Sequence, residues 1–332
     1  MAERQIKCDT RNVSRKFRFR QVDVFTDRPL HGNPLAVFTD ADGMSDAEMQ
    51  AVASEMMLSE TTFVLPATAE GAAGGADYRV RIFTPTMELP FAGHPSIGTA
   101  WALAEMGRFG DAGVAATRTV RQEVAVGVLQ LDMSAEGITL GMAQPELIYR
   151  VPAEELDELA ETLEVRSSEL RWPGKVDKGG QRRAPAVISC GLPYLVVPIS
   201  RLDLLADLES GHALALARFA ETYGADSAAI VTPGSSGAIP DADVHVRVLS
   251  DPRTGTAEDA ATGSAAGPIC VFLGYLAGRK GAAHRVVIEQ GVEMGRPSRL
   301  VAEVDFDNDG EPSAARVTGT VAPIAEGWVE LP

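Results

Sequence analysis

Glu60 lies in Leu58-Ser59-Glu60-Thr61-Thr62-Phe63, an acid at the mouth of an apolar run. Pointed into a closed pocket, such a carboxyl is desolvated, its pKa rises, and it becomes a usable proton carrier near neutral pH. Pointed outward, it is a solvated acid at a strand end. Two small-residue loops, Phe91-Ala92-Gly93-His94-Pro95 and Glu258-Asp259-Ala260-Ala261-Thr262-Gly263-Ser264, each run into a helix. The first four amides of a helix have no internal partner, and Gly93 and Gly263 allow close approach to the backbone. Two such termini facing each other would cradle a carboxylate without any Arg or Lys; the plainer alternative is two well-packed helix starts. Asp259 can cap backbone amides or hold a substrate group. His94 suits a proton partner, a hydrogen-bond donor or a packed loop residue, and Asn33 suits a turn or a ligand contact.

Other chemistries find no support. The histidines His31, His94, His212, His245 and His284 never fall at metal-ligand spacing, so no metal is expected. Cys8, Cys190 and Cys270 are too few and too scattered for a disulfide framework or a zinc cluster, and the last two lie in apolar runs typical of buried cysteine. Gly263-Ser-Ala-Ala-Gly267 lacks the leading glycine of a dinucleotide fingerprint, and neither a phosphate-loop motif nor a Gly-x-Ser-x-Gly elbow occurs. With 46 acidic against 30 basic side chains, the net charge of −16 disfavours nucleic acid and anionic lipid as partners. No apolar stretch approaches the roughly 18 residues of a membrane span, and the polar start lacks a signal peptide's apolar core. A cytoplasmic location is expected.

The elements that must position these residues are legible in outline. A length of 332 residues favours two domains of roughly 150 residues each. Residues 1–16 read as a disordered tail, 17–140 as a first domain, 141–184 as a charged connection with one acidic helix near 153–165, and 185–332 as a second domain whose last strands could cross back to the first. Phe17 to Phe25 alternates as a half-buried strand does. Ser45 and Glu48 form a capping box ahead of a helix; residues 67–76 read as a Gly/Ala-rich loop. Pro95 fits a first helical turn, and Gly107 is placed to end that helix. Many short strands around few helices, without regular βαβ alternation, predict an α+β fold.

The two halves look related. Arg79-Val80-Arg81-Ile82-Phe83 leads through Glu88 to Gly93-His94, and His245-Val246-Arg247-Val248-Leu249 leads through Glu258 to Gly263-Ser264. Both run strand, turn, acidic residue, small-residue loop, helix, the pattern of a single duplication.

In order along the chain stand Gln21-Val22-Asp23-Val24-Phe25-Thr26, Gly32-Asn33-Pro34-Leu35-Ala36-Val37-Phe38, Leu58-Ser59-Glu60-Thr61, Arg81-Ile82-Phe83-Thr84-Pro85, Phe91-Ala92-Gly93-His94-Pro95, Glu258-Asp259-Ala260-Ala261-Thr262-Gly263-Ser264 and Gln290-Gly291-Val292-Glu293-Met294-Gly295-Arg296-Pro297. From residue 17 onward the chain resembles the PhzF-like (phenazine biosynthesis) family. The resemblance implies a diaminopimelate epimerase-like fold: two similar domains, each a curved sheet or barrel around a central helix, with the active site in the cleft between them. It further implies a homodimer, no metal and no organic cofactor, and a small carboxylate-bearing substrate. Carried over by motif, Glu60 becomes the proton shuttle, and His94, Asp259 and Ser264 the polar groups that orient the substrate. Asn33, Gly93, Pro95 and Gly263 become substrate-binding positions. The chain departs from thiol-dependent racemases of the same superfamily, because neither helix start carries a cysteine. The implied reaction is therefore a double-bond isomerisation driven by one carboxyl, as on a dihydro-hydroxyanthranilate. The alternatives are an epimerase or tautomerase of an amino or hydroxy acid, and a non-catalytic metabolite-binding protein.

Overall fold

The computed structural model describes residues 14–110, 117–173, 184–253 and 256–332. The first half opens with β1 (Arg15–Val24), β2 (Asn33–Phe38), α1 (Asp46–Met56) and β3 (Glu60–Leu65). It continues with α2 (Ala69–Ala73), β4 (Tyr78–Phe83), β5 (Glu88–Leu89), α3 (Gly93–Glu105), β6 (Arg118–Val124), β7 (Gly127–Ser134) and β8 (Gly137–Gly141). The second half starts with β9 (Glu146–Arg150), α4 (Leu156–Thr162), β10 (Ala186–Ser189), β11 (Pro193–Pro198), α5 (Leu202–Ala206) and α6 (Ala213–Glu221). Then follow β12 (Ser227–Pro233), β13 (Val244–Ser250), β14 (Glu258–Asp259), α7 (Gly263–Ala277), β15 (Ala283–Gln290), β16 (Ser298–Phe306), β17 (Pro312–Gly319) and β18 (Val321–Leu331).

Strand pairing repeats almost element for element. In the first half β1 pairs antiparallel with β2, β2 parallel with β3, β3 antiparallel with β4, and β4 parallel with β6, which continues antiparallel through β7 and β8. In the second, β10, β11, β12, β13, β15, β16 and β17 follow the same sequence of senses. Short β5 and β14 hang on β4 and β13 at matching places, just ahead of α3 and α7. Even the side chains match: Arg81 grips Glu88 through two hydrogen bonds of 2.7 and 2.6 Å, and Arg247 grips Glu258 through two of 2.8 Å. Bidentate geometry of this kind fixes the turn that delivers each helix start. The predicted α+β fold of two similar halves is present.

Each curved sheet wraps a helix that is apolar on nearly every side. α3 is buried from Gly93 to Ala104, and most of α7 from Gly263 to Gly274 is buried too, as expected of a helix with no solvent face. Both stop where glycine permits a positive φ, Gly107 at +73° and Gly278 at +62°. The capping box of Ser45 and Glu48 forms as expected. β8 pairs with β17 and β18 pairs with β1, so the sheet runs from one half into the other.

Several boundaries differ from the sequence reading. The first strand begins at Arg15, inside the span read as a tail; residues 1–13 lie outside the described residues. The Gly/Ala-rich loop holds the short helix α2, whose cap Thr68 is pinned by Glu123 from β6, a long-range partner. The connecting segment contributes β9, which pairs with β10, and α4, which packs on α6. Residues 174–183 of that segment lie outside the described residues. Among the described residues no helix is long and apolar enough to cross a membrane.

Candidate active site

The N-termini of α3 and α7 meet head to head between the halves. A Cβ placed on Gly93 would lie 3.6 Å from the Ser264 amide nitrogen, and one on Gly263 would lie 3.7 Å from the His94 amide nitrogen. Neither helix has a side-chain cap: Ala92 and Thr262 occupy the N-cap positions, and their side chains accept nothing from the first-turn amides. Pro95, third in α3, is buried and has no N–H of its own to satisfy. A buried helix end without a cap calls for another partner, and two of them together make a positive pole suited to an anion.

Glu60 enters this space from the head of β3, where parallel pairing sets it beside Leu35. Its Oε2 stands 3.3 Å from His94 Nε2, without the alignment of a hydrogen bond. Both atoms are buried and neither has a hydrogen-bond partner. Burial, with the charge of Asp259 second, pushes Glu60 up to about 8; burial pulls His94 down to about 3. Near neutral pH the pair is therefore a mostly protonated carboxyl facing a neutral imidazole. The Glu60 side chain as a whole keeps 17% of its exposure.

Asn33, buried at the head of β2, joins the two halves. Its Nδ2 donates to Asp259 Oδ1 at 2.8 Å and to the Ala261 carbonyl at 2.9 Å, and lies 3.4 Å from His94 Nδ1. Ser59 Oγ donates to Asn33 Oδ1 at 3.2 Å. Asp259 also accepts from Thr262 Oγ1 at 2.7 Å. Burial nevertheless holds its pKa above the ordinary carboxylate range, against the pull of Thr262, Asn33 and the Ala260 and Ala261 amides. Gln290 supports this loop from beneath, accepting from the Thr262 amide and donating to the Asp259 carbonyl and Thr262 Oγ1.

Glu60, His94, Asp259, Asn33, Gly93 and Gly263 thus converge. Ser264, the second residue of α7, holds the place that His94 holds in α3, and its Oγ lies 2.7 Å from the Tyr194 hydroxyl. Pro95 shapes the helix start and makes no polar contact. Sequence reasoning missed Tyr194, Thr262, Ser59 and Gln290. Tyr194 had a usable signal: along β11, Tyr194 and Val196 face the main core while Leu195 and Val197 face away. A tyrosine on an inward face must find its hydroxyl a partner.

A strap from Gln290 to Pro297 ties the halves beside the site. Arg296 donates to Asp23 Oδ1 at 2.6 Å and to the carbonyls of Gly32 and His31, while the Gly32 amide donates to the Pro297 carbonyl. Phe25, at a φ of +65°, stands at the seam, its ring against Gly263 and Gly319.

Two copies of one barrel-and-helix unit, with a buried carboxyl between opposed uncapped helix starts, define an epimerase-like architecture with its site at the duplication axis. The profile of the phenazine biosynthesis-like proteins (PhzC-PhzF) matches residues 22–327, and the chain belongs to that family. It is 35% identical over 327 residues to a trans-2,3-dihydro-3-hydroxyanthranilate isomerase of Pseudomonas aeruginosa, covering 95% of this chain and 99% of the relative. It superposes on a PhzF-family protein of Bacillus anthracis with a TM-score of 0.77 at 25% identity, covering 95% of this chain and 99% of the other. A hydroxyproline epimerase of Agrobacterium vitis shares the fold, with a TM-score of 0.57 at 15% identity over 96% of this chain and 93% of that one.

Proposed function

We propose that the chain is an isomerase that moves a proton on a small unsaturated carboxylic acid, using Glu60 as the single carrier and no cofactor. The observation that carries this reading is the pair of buried, unpartnered polar atoms, Glu60 Oε2 and His94 Nε2, facing each other where two uncapped helices meet. The amides of Gly93, His94, Gly263 and Ser264 would hold the substrate carboxylate. Asp259, fixed by Asn33 and Thr262, would accept from a substrate N–H or O–H. The ionised fraction of Glu60 takes a proton from a carbon next to the unsaturated system; electrons shift along that system, and the same carboxyl returns the proton at its far end. A carboxyl poised at about 8 is a stronger base than an exposed glutamate, and still exchanges its proton near neutral pH. Cys190 and Cys270 are buried, with both thiols pushed up by that burial, and Cys270 Sγ is engaged with the His284 carbonyl. Among the described residues no thiol supports cysteine chemistry at this site.

The relatives named as dihydro-hydroxyanthranilate isomerases supply the first substrate to try. Wild type and Glu60→Gln are incubated with trans-2,3-dihydro-3-hydroxyanthranilate in deuterated water. Turnover with deuterium entering the product, lost in the variant, is the expected result. Equal turnover by Glu60→Gln would remove the carboxyl from the mechanism; no turnover by wild type would remove this substrate.

A further inference from the structure

Duplication gives the two helix starts equivalent second residues, His94 and Ser264, but their surroundings differ. His94 Nε2 is left without a hydrogen-bond partner opposite Glu60. Ser264 Oγ is held at 2.7 Å by the hydroxyl of Tyr194. That tyrosine stands on β11, 7% exposed, its ring embedded in the core shared with α7. Burial first, then the charges of Asp259 and Glu60, hold the phenol above its ordinary range, while the Ser264 bond pulls the other way. The hydroxyl therefore keeps its proton throughout the neutral range and lies within the field of both carboxyls.

Two hydroxyls in contact carry two hydrogens and use one between them. A phenol is the stronger acid and the better donor of the two. With Tyr194 donating to Ser264 Oγ, the serine hydrogen is released toward the space between the helices. We propose that Tyr194 is a positioning residue that fixes Ser264 as a donor to the substrate, making the second half a hydrogen-bonding arm opposite the proton-exchanging arm of Glu60. This rests on the isomerase reading and sharpens it. An arm built from a neutral phenol and an alcohol can donate a hydrogen bond but cannot take a proton from carbon. This arm then orients the substrate and leaves proton exchange to Glu60, the carrier proposed above.

The test is a double-mutant cycle with trans-2,3-dihydro-3-hydroxyanthranilate. Tyr194→Phe, which keeps the ring that the core packs, is expected to lower kcat/KM about tenfold, the worth of one well-placed hydrogen bond. Ser264→Ala is expected to lose at least as much. The double variant should match Ser264→Ala within about twofold, because Tyr194 acts only through the serine. Losses that multiply, or a Tyr194→Phe enzyme within about twofold of wild type, would overturn the proposal while leaving the isomerase reading intact. Should Tyr194→Phe fold poorly, a fluorinated tyrosine at 194 keeps the ring and alters only the phenol's acidity; kcat/KM that ignores this change overturns the proposal as well. A wild type that does not turn this acid over removes it as substrate, and this inference as stated for it.

Discussion

Replacing Glu60 by Gln should make the protein more stable near neutral pH while abolishing turnover. In the unfolded chain this carboxyl titrates near its ordinary 4.5, and in the native site near about 8. Between those values the native state binds a proton that the unfolded state has lost, so stability falls as pH rises through that window. At about 1.36 kcal/mol per pH unit, the interval from 4.5 to neutrality amounts to roughly 3 kcal/mol. A glutamine cannot ionise and escapes that loss. With roughly 2.1 cal/mol/K of unfolding entropy per residue, a chain of 332 residues gains about 4 °C. The assay is calorimetric melting of both proteins near pH 5 and near pH 7.5. Any fixed cost of the amide appears at both pH values and cancels in the comparison; only the pH-dependent part reports the buried carboxyl. A Tm difference that stays constant between the two conditions would refute the argument, since Glu60 would then titrate like a solvated acid. The same result would undercut its role as proton carrier, because both follow from one desolvation.

Two further outcomes follow from the packing around the site. His245 is fully buried between Glu289, 2.5 Å from Nδ1, and Glu293, 2.8 Å from Nε2. Burial opposes its charge, but the two carboxylates prevail and hold it up at about 9. Its stabilisation is complete below about pH 6.5 and is lost as pH rises through 9, so Tm should fall on the alkaline side and His245→Gln should flatten that limb. Gly319→Ala would put a methyl 2.4 Å from a Phe25 ring carbon. Because that ring also packs on Gly263, melting should show a loss of about 1–3 kcal/mol, together with reduced turnover.

The sequence was most informative where local chemistry sets local structure. The starts of α3 and α7, their glycine stops and the capping box at Ser45 each lie within a few residues of what determines them. Glu60, His94, Asp259 and Ser264 stood out for the same reason, each occupying a short motif at an element's edge. What stayed hidden depends on distant partners. The bond from Tyr194 to Ser264 spans 70 residues and that from Asn33 to Asp259 spans 226; both exist only once two sheets have curled around two helices. Thr68 caps α2 in a run that looks like loop, because a carboxylate 55 residues away holds it. β9 lies in charged sequence and becomes a strand by lying against β10.

Register shows which residue answers Glu60 in the second half. With Arg81 on β4 answered by Arg247 on β13, the antiparallel pairings match Thr61 to Ala228 and Thr62 to Ala229, and the parallel pairings then match Val37 to Val196, Ala36 to Leu195 and Leu35 to Tyr194. The neighbour of Leu35 is Glu60; the equivalent place at the head of β12 is held by Ser227, whose hydroxyl lies 2.9 Å from that of Ser250. One half therefore places a carboxyl against an unpartnered imidazole. The other holds Ser227 at the place of Glu60, and Tyr194, bonded to Ser264, at the place of Leu35. Inversion needs one ionised base and one protonated acid on opposite faces of the substrate, which a second carboxyl at the place of Ser227 could supply. A serine hydroxyl bonded to Ser250 is no such partner, which supports the proposed reading of Glu60 as the single carrier.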